Sequence, residues 1–129
     1  MEKGNKFQQS YLITEDVYMG FISLFNDNNP LHTCEIFARE RGFKTNVMHG
    51  NILNGFISHF IGECLPIKNV IIHSQEINYS KPVYLNDTLQ LIVEIKEFFE
   101  SVSTFELIFY FQNQNHIKVA KGKISIGLI

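Results

Sequence analysis

The sequence has no tryptophan, only two cysteines, three prolines and no surplus of charge of either sign, and each shortage excludes something. Cys34 and Cys64 are too few and too isolated for a disulfide framework or a zinc site, which fits a reducing compartment. Each is expected to be a small buried hydrophobe. Eleven basic and thirteen acidic residues are spread along the chain and leave a net charge of -2. That balance provides no electrostatic footprint for nucleic acid or an anionic membrane. No run of about 18 apolar residues exists, and the amino terminus lacks the continuous apolar segment of a signal peptide. A cytoplasmic protein without membrane contact is the expectation. No repeat, low-complexity tract or linker divides residues 1–129, which are expected to form one domain.

Apolar bulk is abundant. Apolar residues make up 45% of the sequence and include twelve phenylalanines, which predicts an aromatic core with few polar handles. At this length folding buries on the order of two thirds of the chain's surface, enough for a self-supporting core.

Phe7 to Ile13 reads as a first strand, followed by Thr14, Glu15 and Asp16, a cap residue and two anions suited to a helix start. Val17, Phe21, Leu24 and Phe25 recur at helical spacing, and Asn26-Asp27-Asn28-Asn29-Pro30 ends that helix in a turn. A short helix from Cys34 to Arg41 closes on Gly42. From Gly50 to Glu63, Ile52, Leu53, Phe56, Ile57, Phe60 and Ile61 fall on one half of a helical wheel. Asn51, Asn54, Gly55, Ser58, His59 and Gly62 take the other half. After Pro66 the pattern alternates, giving candidate strands Val70–Tyr79, Leu89–Phe99, Thr104–Gln112 and Ile117–Gly127. Turn residues Asn86-Asp87 and Asn113-Gln114-Asn115 separate them, so an antiparallel meander is expected. One long helix against such a sheet is an α+β arrangement.

One segment joins groups with chemical potential. Asp27 and His32 stand five positions apart around Asn28-Asn29-Pro30, and His49-Gly50 directly precedes the long amphipathic helix. The stretch Phe25 to His32 (F-N-D-N-N-P-L-H), Gly42-Phe43, His49-Gly50 and the following helix with Ser58 resemble the MaoC-like dehydratases, and within them the (R)-specific enoyl-CoA hydratases. Tyr79-Ser-Lys-Pro-Val-Tyr-Leu-Asn-Asp87 is a weaker match to the strand and turn after that helix. In order and spacing the resemblance covers nearly the whole chain.

The resemblance implies a single hot dog domain, in which an antiparallel sheet wraps around a long central helix, with an additional helical overhang segment. It implies that Asp27 and His32 hold and activate one water and that Gly50 offers its N–H to a thioester carbonyl. Ser58, Asn29 and His49 take supporting places, His49 by positioning the start of the helix. The substrate would be an acyl-CoA, or its acyl carrier protein (ACP) counterpart, in a homodimer, with no cofactor. Two positions depart from the family pattern. Cys34 stands where many members carry an acid, and Asn51 where they carry methionine.

Water addition to a trans-2-enoyl thioester needs an oxygen nucleophile at C3, a proton at C2 and stabilisation of enolate charge on the thioester oxygen. A carboxylate and an imidazole meet the first two demands, an assistance worth about 10²–10⁴ in rate. A helix start meets the third with free N–H groups and the positive end of its dipole. Alternatives of other classes are a 3-hydroxyacyl-ACP or specialised 3-hydroxyacyl-CoA dehydratase, a thioesterase and a non-catalytic acyl-CoA binding module. Ser58 is equally explained by packing on a small helix face. His59, His73 and His116 have no ligand spacing, so no metal site is expected, and Lys118, Lys121 and Lys123 read as solvated strand surface.

Overall fold

Alternation decides which face of the sheet meets the core, and the computed structural model, which describes residues 1–129, shows it strand by strand. In β3 (Thr88–Phe99), Leu89, Leu91, Val93 and Ile95 are fully buried, and in β4 (Thr104–Gln112), Phe105, Leu107, Phe109 and Phe111 are buried. The residues between them are half-buried on the opposite face. β1 (Lys6–Leu12), β2 (Val70–Tyr79) and β5 (Lys118–Leu128) complete a five-stranded antiparallel sheet.

Its order is β1-β3-β4-β5-β2, which corrects the simple meander. Only β3, β4 and β5 follow one another. β2 pairs with β5, from Val70 opposite Leu128 to Tyr79 opposite Ala120, and β1 pairs with β3. The link from β2 to β3 carries a proline and runs from Ser80 to Asp87, longer than the two-residue hairpin loop that would keep consecutive strands adjacent. Asn86-Asp87 therefore ends a crossing segment. Asp87 is buried, and its carboxylate accepts from the Tyr84 N–H and the Gln114 amide, each at 2.9 Å. The Asn86 N–H donates to Ile13 O and the Ile13 N–H to Asp87 O, which ties the start of β3 to the chain after β1.

Between β1 and the long helix lie α1 (Glu15–Phe25), α2 (Pro30–Thr33) and α3 (Glu35–Glu40). Thr14 caps α1 by accepting the Val17 N–H, and Asn26 closes it in the left-handed conformation. The turn expected around Pro30 continues into a helical turn of its own, α2, capped by the Asn29 side chain on the Leu31 N–H at 2.9 Å. α4 (Asn51–His59) buries Ile52, Leu53 and Ile57, and its continuation, a π-helical turn from Phe60 to Cys64, buries Phe60 and Ile61. These side chains join Leu91, Leu107 and Ile124 of the sheet in one apolar cluster. Each such burial contributes about 1.5–3 kcal/mol.

Cys34 is exposed between two short helices, contrary to expectation, while Cys64 is half-buried and packs against the core. Lys118, Lys121 and Lys123 are exposed on β5. No helix is long and apolar enough to cross a membrane.

Candidate active site

The loop after α1 and the segment before α4 converge because both are pinned by backbone hydrogen bonds. The Val47 N–H donates to Leu31 O at 3.0 Å, and the Met48 N–H to Val83 O at 2.9 Å. The His32 carbonyl accepts from the Tyr18 hydroxyl at 2.6 Å and from the Asn46 amide at 3.0 Å. The His32 ring is held as well. Its Nδ1 lies 2.8 Å from Val47 O, and a carbonyl can only accept, so Nδ1 carries the proton and Nε2 presents its lone pair when the ring is neutral.

His49 secures the acid. It is buried against the rings of Tyr18, Phe21 and His32, and its Nε2 donates to the Asp27 carbonyl at 2.9 Å. The expected role at the start of the helix is thereby widened, since the same ring fixes the Asp27 loop. Its Nδ1 is buried without a hydrogen-bond partner. Asp27 itself is exposed, with one carboxylate oxygen accepting the Asn29 N–H at 3.3 Å. Asn29 thus braces both Asp27 and the start of α2.

One ligating atom from each of Asp27, His32 and His49 lies within 4.8 Å of the others. Two hydrogen bonds of about 2.8 Å to a single oxygen can span up to about 5.6 Å, so one water can reach carboxylate and imidazole together. Three such groups can also bracket a cation, a compactness that sequence spacing did not predict.

Gly50 and Asn51 open α4, and neither backbone N–H has an acceptor in the protein. Free N–H groups at a helix start suit an oxyanion. Two adjoining grooves meet at Asn51. One, of about 980 Å³, is lined by Val17, Phe21, Leu24, Phe25, Ile52 and Phe56 together with Asp27. The other, of about 500 Å³, contains His32, Gly50, Phe43 and Tyr79. The acid, the imidazole and the free amides therefore stand where the grooves join.

Of the supporting residues, Ser58 is not brought to this centre: it is exposed on the outer side of α4 and makes no side-chain hydrogen bond. Eight residues from Gly50 along a helix is about 12 Å. Sequence reasoning missed Tyr18 and Asn46, which hold the His32 backbone, because a partner of a carbonyl leaves no spacing signal. It also passed over Tyr79, whose phenol burial pushes above its ordinary pKa.

A sheet packed on a central helix defines a hot dog protein, and here an imidazole lines the same groove as the free amides at that helix's start, with a carboxylate close by. Residues 1–118 match the family model described as MaoC like domain, and the chain belongs to that family. It is 34% identical over 85 residues to a 3-hydroxybutyryl-CoA dehydratase of Methylorubrum extorquens, covering 66% of this chain and 54% of that protein. It is 33% identical over 96 residues to an (R)-specific enoyl-CoA hydratase of Rhodospirillum rubrum, covering 74% and 66%. The matched stretch thus spans about half to two thirds of these relatives' own length. Among solved structures, an (R)-hydratase from A. caviae involved in PHA biosynthesis superposes with a TM-score of 0.91 at 26% identity, covering 100% of this chain and 98% of that one.

Proposed function

We propose that the protein is an (R)-specific enoyl-CoA hydratase that adds water syn to a trans-2-enoyl-CoA to give the (R)-3-hydroxyacyl-CoA, and runs in reverse as a dehydratase. The observation that carries the reading is the pairing of Asp27 with His32 within reach of one water beside the unpaired amide of Gly50. Asp27 takes a proton from that water as its oxygen bonds to C3. The C2–C3 π electrons move toward the thioester, and the enolate oxygen is held by the Gly50 N–H. His32, its Nδ1 fixed on Val47 O, orients the water by accepting its second O–H at the Nε2 lone pair, and the proton held by Asp27 passes to C2 from the same side. Dehydration uses the same groups in reverse order.

The names of the relatives support a hydro-lyase of 3-hydroxyacyl thioesters. The apolar groove beside Asp27 suits the acyl chain, and the groove holding His32 and Gly50 suits the thioester and the start of its carrier arm. A homodimer is part of the proposal. Exposed Met19, Leu24, Phe25 and Ile36 on the overhang helices supply apolar surface that a second copy would cover. Ser58, exposed on the outer side of α4, has no contact through which to support the site in this reading.

Incubating the pure protein with crotonyl-CoA, following loss of the conjugated thioester's absorbance and resolving the product's stereochemistry, tests the assignment. No turnover across short and medium enoyl chains would defeat it. A relative in Arabidopsis thaliana named as a 3-hydroxyacyl-ACP dehydratase, 22% identical over 126 residues, keeps the carrier open, and matched CoA and ACP thioesters decide it. Ligand binding without turnover would instead mark a non-catalytic module.

A further inference from the structure

Gly50 has a neighbour that the scheme above does not use. The Tyr79 phenol, at the end of β2, lies over the Gly50 α-carbon: a β-carbon placed there would stand 3.0 Å from ring carbons Cε1 and Cζ and 3.3 Å from the hydroxyl oxygen. Asn54 of α4 donates its Nδ2–H to that oxygen at 3.3 Å and to Asn51 Oδ1 at 2.7 Å, while the Gln75 amide donates to Asn54 Oδ1. Asn54 is thereby oriented from both ends. The Tyr79 oxygen accepts; its own hydrogen finds no acceptor in the protein. Tyr79 is 49% exposed and opens on the same groove as His32 and Gly50.

We infer that the Tyr79 hydroxyl donates a second hydrogen bond to the thioester oxygen, beside the Gly50 amide. The inference rests on the hydratase reading and adds a catalytic residue to it. An enolate oxygen has lone pairs for two donors, and a pair of donors in place before reaction stabilises the charge as it forms. A phenol keeps its proton through the neutral range, and partial burial moves its titration further up, so the donor persists there. Asn54 acts through Tyr79 as a positioning residue, holding the oxygen so that its proton turns toward the groove.

Tyr79→Phe is the test, since it keeps the ring over Gly50 and removes only the hydroxyl. With crotonyl-CoA, kcat is expected to fall roughly 10²-fold with KM little changed, the loss seen when one oxyanion donor is removed. An unchanged thermal midpoint accompanies this result. Parental kcat in a folded variant, or a loss confined to KM, overturns the inference while leaving the hydratase reading intact. A parent enzyme without turnover defeats both. Should Tyr79→Phe melt early, Asn54→Ala provides the second measurement. A loss in kcat for Asn54→Ala that is smaller than that of Tyr79→Phe and adds nothing to it in the double variant, assayed below the lowered midpoint, supports the hydroxyl's role, and independent, multiplying losses overturn it.

Discussion

Gly50→Ala separates what the site needs from what the helix needs. Gly50, which precedes the first residue of α4, has φ -58 and ψ -33, so alanine meets no backbone strain and gains about 0.4–1 kcal/mol by narrowing the unfolded ensemble. The added methyl, however, stands 3.0 Å from two carbons of the Tyr79 ring. Unstrained carbon contacts begin near 3.5 Å, so the ring must retreat by roughly half an ångström. Tyr79 is anchored by its pairing with Ala120, which leaves rotation of the side chain as the response, at about 0.5–1.5 kcal/mol for an off-rotamer angle. The two effects nearly cancel in stability, and the thermal midpoint is expected to stay close to that of the parent. Activity does not share this cancellation. The methyl occupies space next to the free amide, and misplacing a reacting group by about 1 Å costs on the order of 10²-fold. Hydration of crotonyl-CoA should fall by about that factor in a protein that melts normally. Parental turnover by Gly50→Ala would refute the placement of the thioester oxygen at this amide.

Asp27→Asn and His32→Gln are expected to fold normally and lose roughly 10²-fold or more of kcat, because each removes an acid–base group. Steady-state kinetics with circular dichroism on both variants checks this, and parental activity in either would remove its assigned role. Gly122→Ala should be far more damaging to the fold: a β-carbon there would lie 1.8 Å from the Glu76 carbonyl oxygen on the paired strand, so β2 and β5 must separate. A loss of about 3 kcal/mol or more in urea denaturation is expected. Burial, with Cys64 beside it, raises the Tyr11 phenol above its ordinary 10.0, so the folded chain keeps a proton that the unfolded chain releases. The stabilisation is complete below that value and declines as pH climbs past it. Tyr11→Phe should flatten the alkaline fall of stability measured by denaturation across that range, and an unaltered slope would contradict the cause.

The element pattern was legible because it is local. Strand alternation in β3 and β4 and the six apolar positions of the long helix follow from side-chain periods of two and 3.6, which need no knowledge of partners. Strand order was not legible. Whether Val70–Tyr79 pairs with β3 or β5 depends on the path of the link through Asn86-Asp87, and those residues look the same in a hairpin as in a crossing segment. The burial of Cys34 was not legible for a similar reason, since exposure is set by what packs on a residue rather than by its own apolarity.

The sequence alone determined that this chain carries an acid, an imidazole and a helix start in an order resembling the MaoC-like dehydratases, and that a sheet covers one helix face. Only the tertiary structure decided that His49 binds the Asp27 carbonyl, that Val47 selects the tautomer of His32, and that Tyr79 lies over Gly50. Those contacts join residues 15 to 29 positions apart. Hydrogen-bond direction and close approach belong to the packed chain, and no periodicity in sequence encodes them.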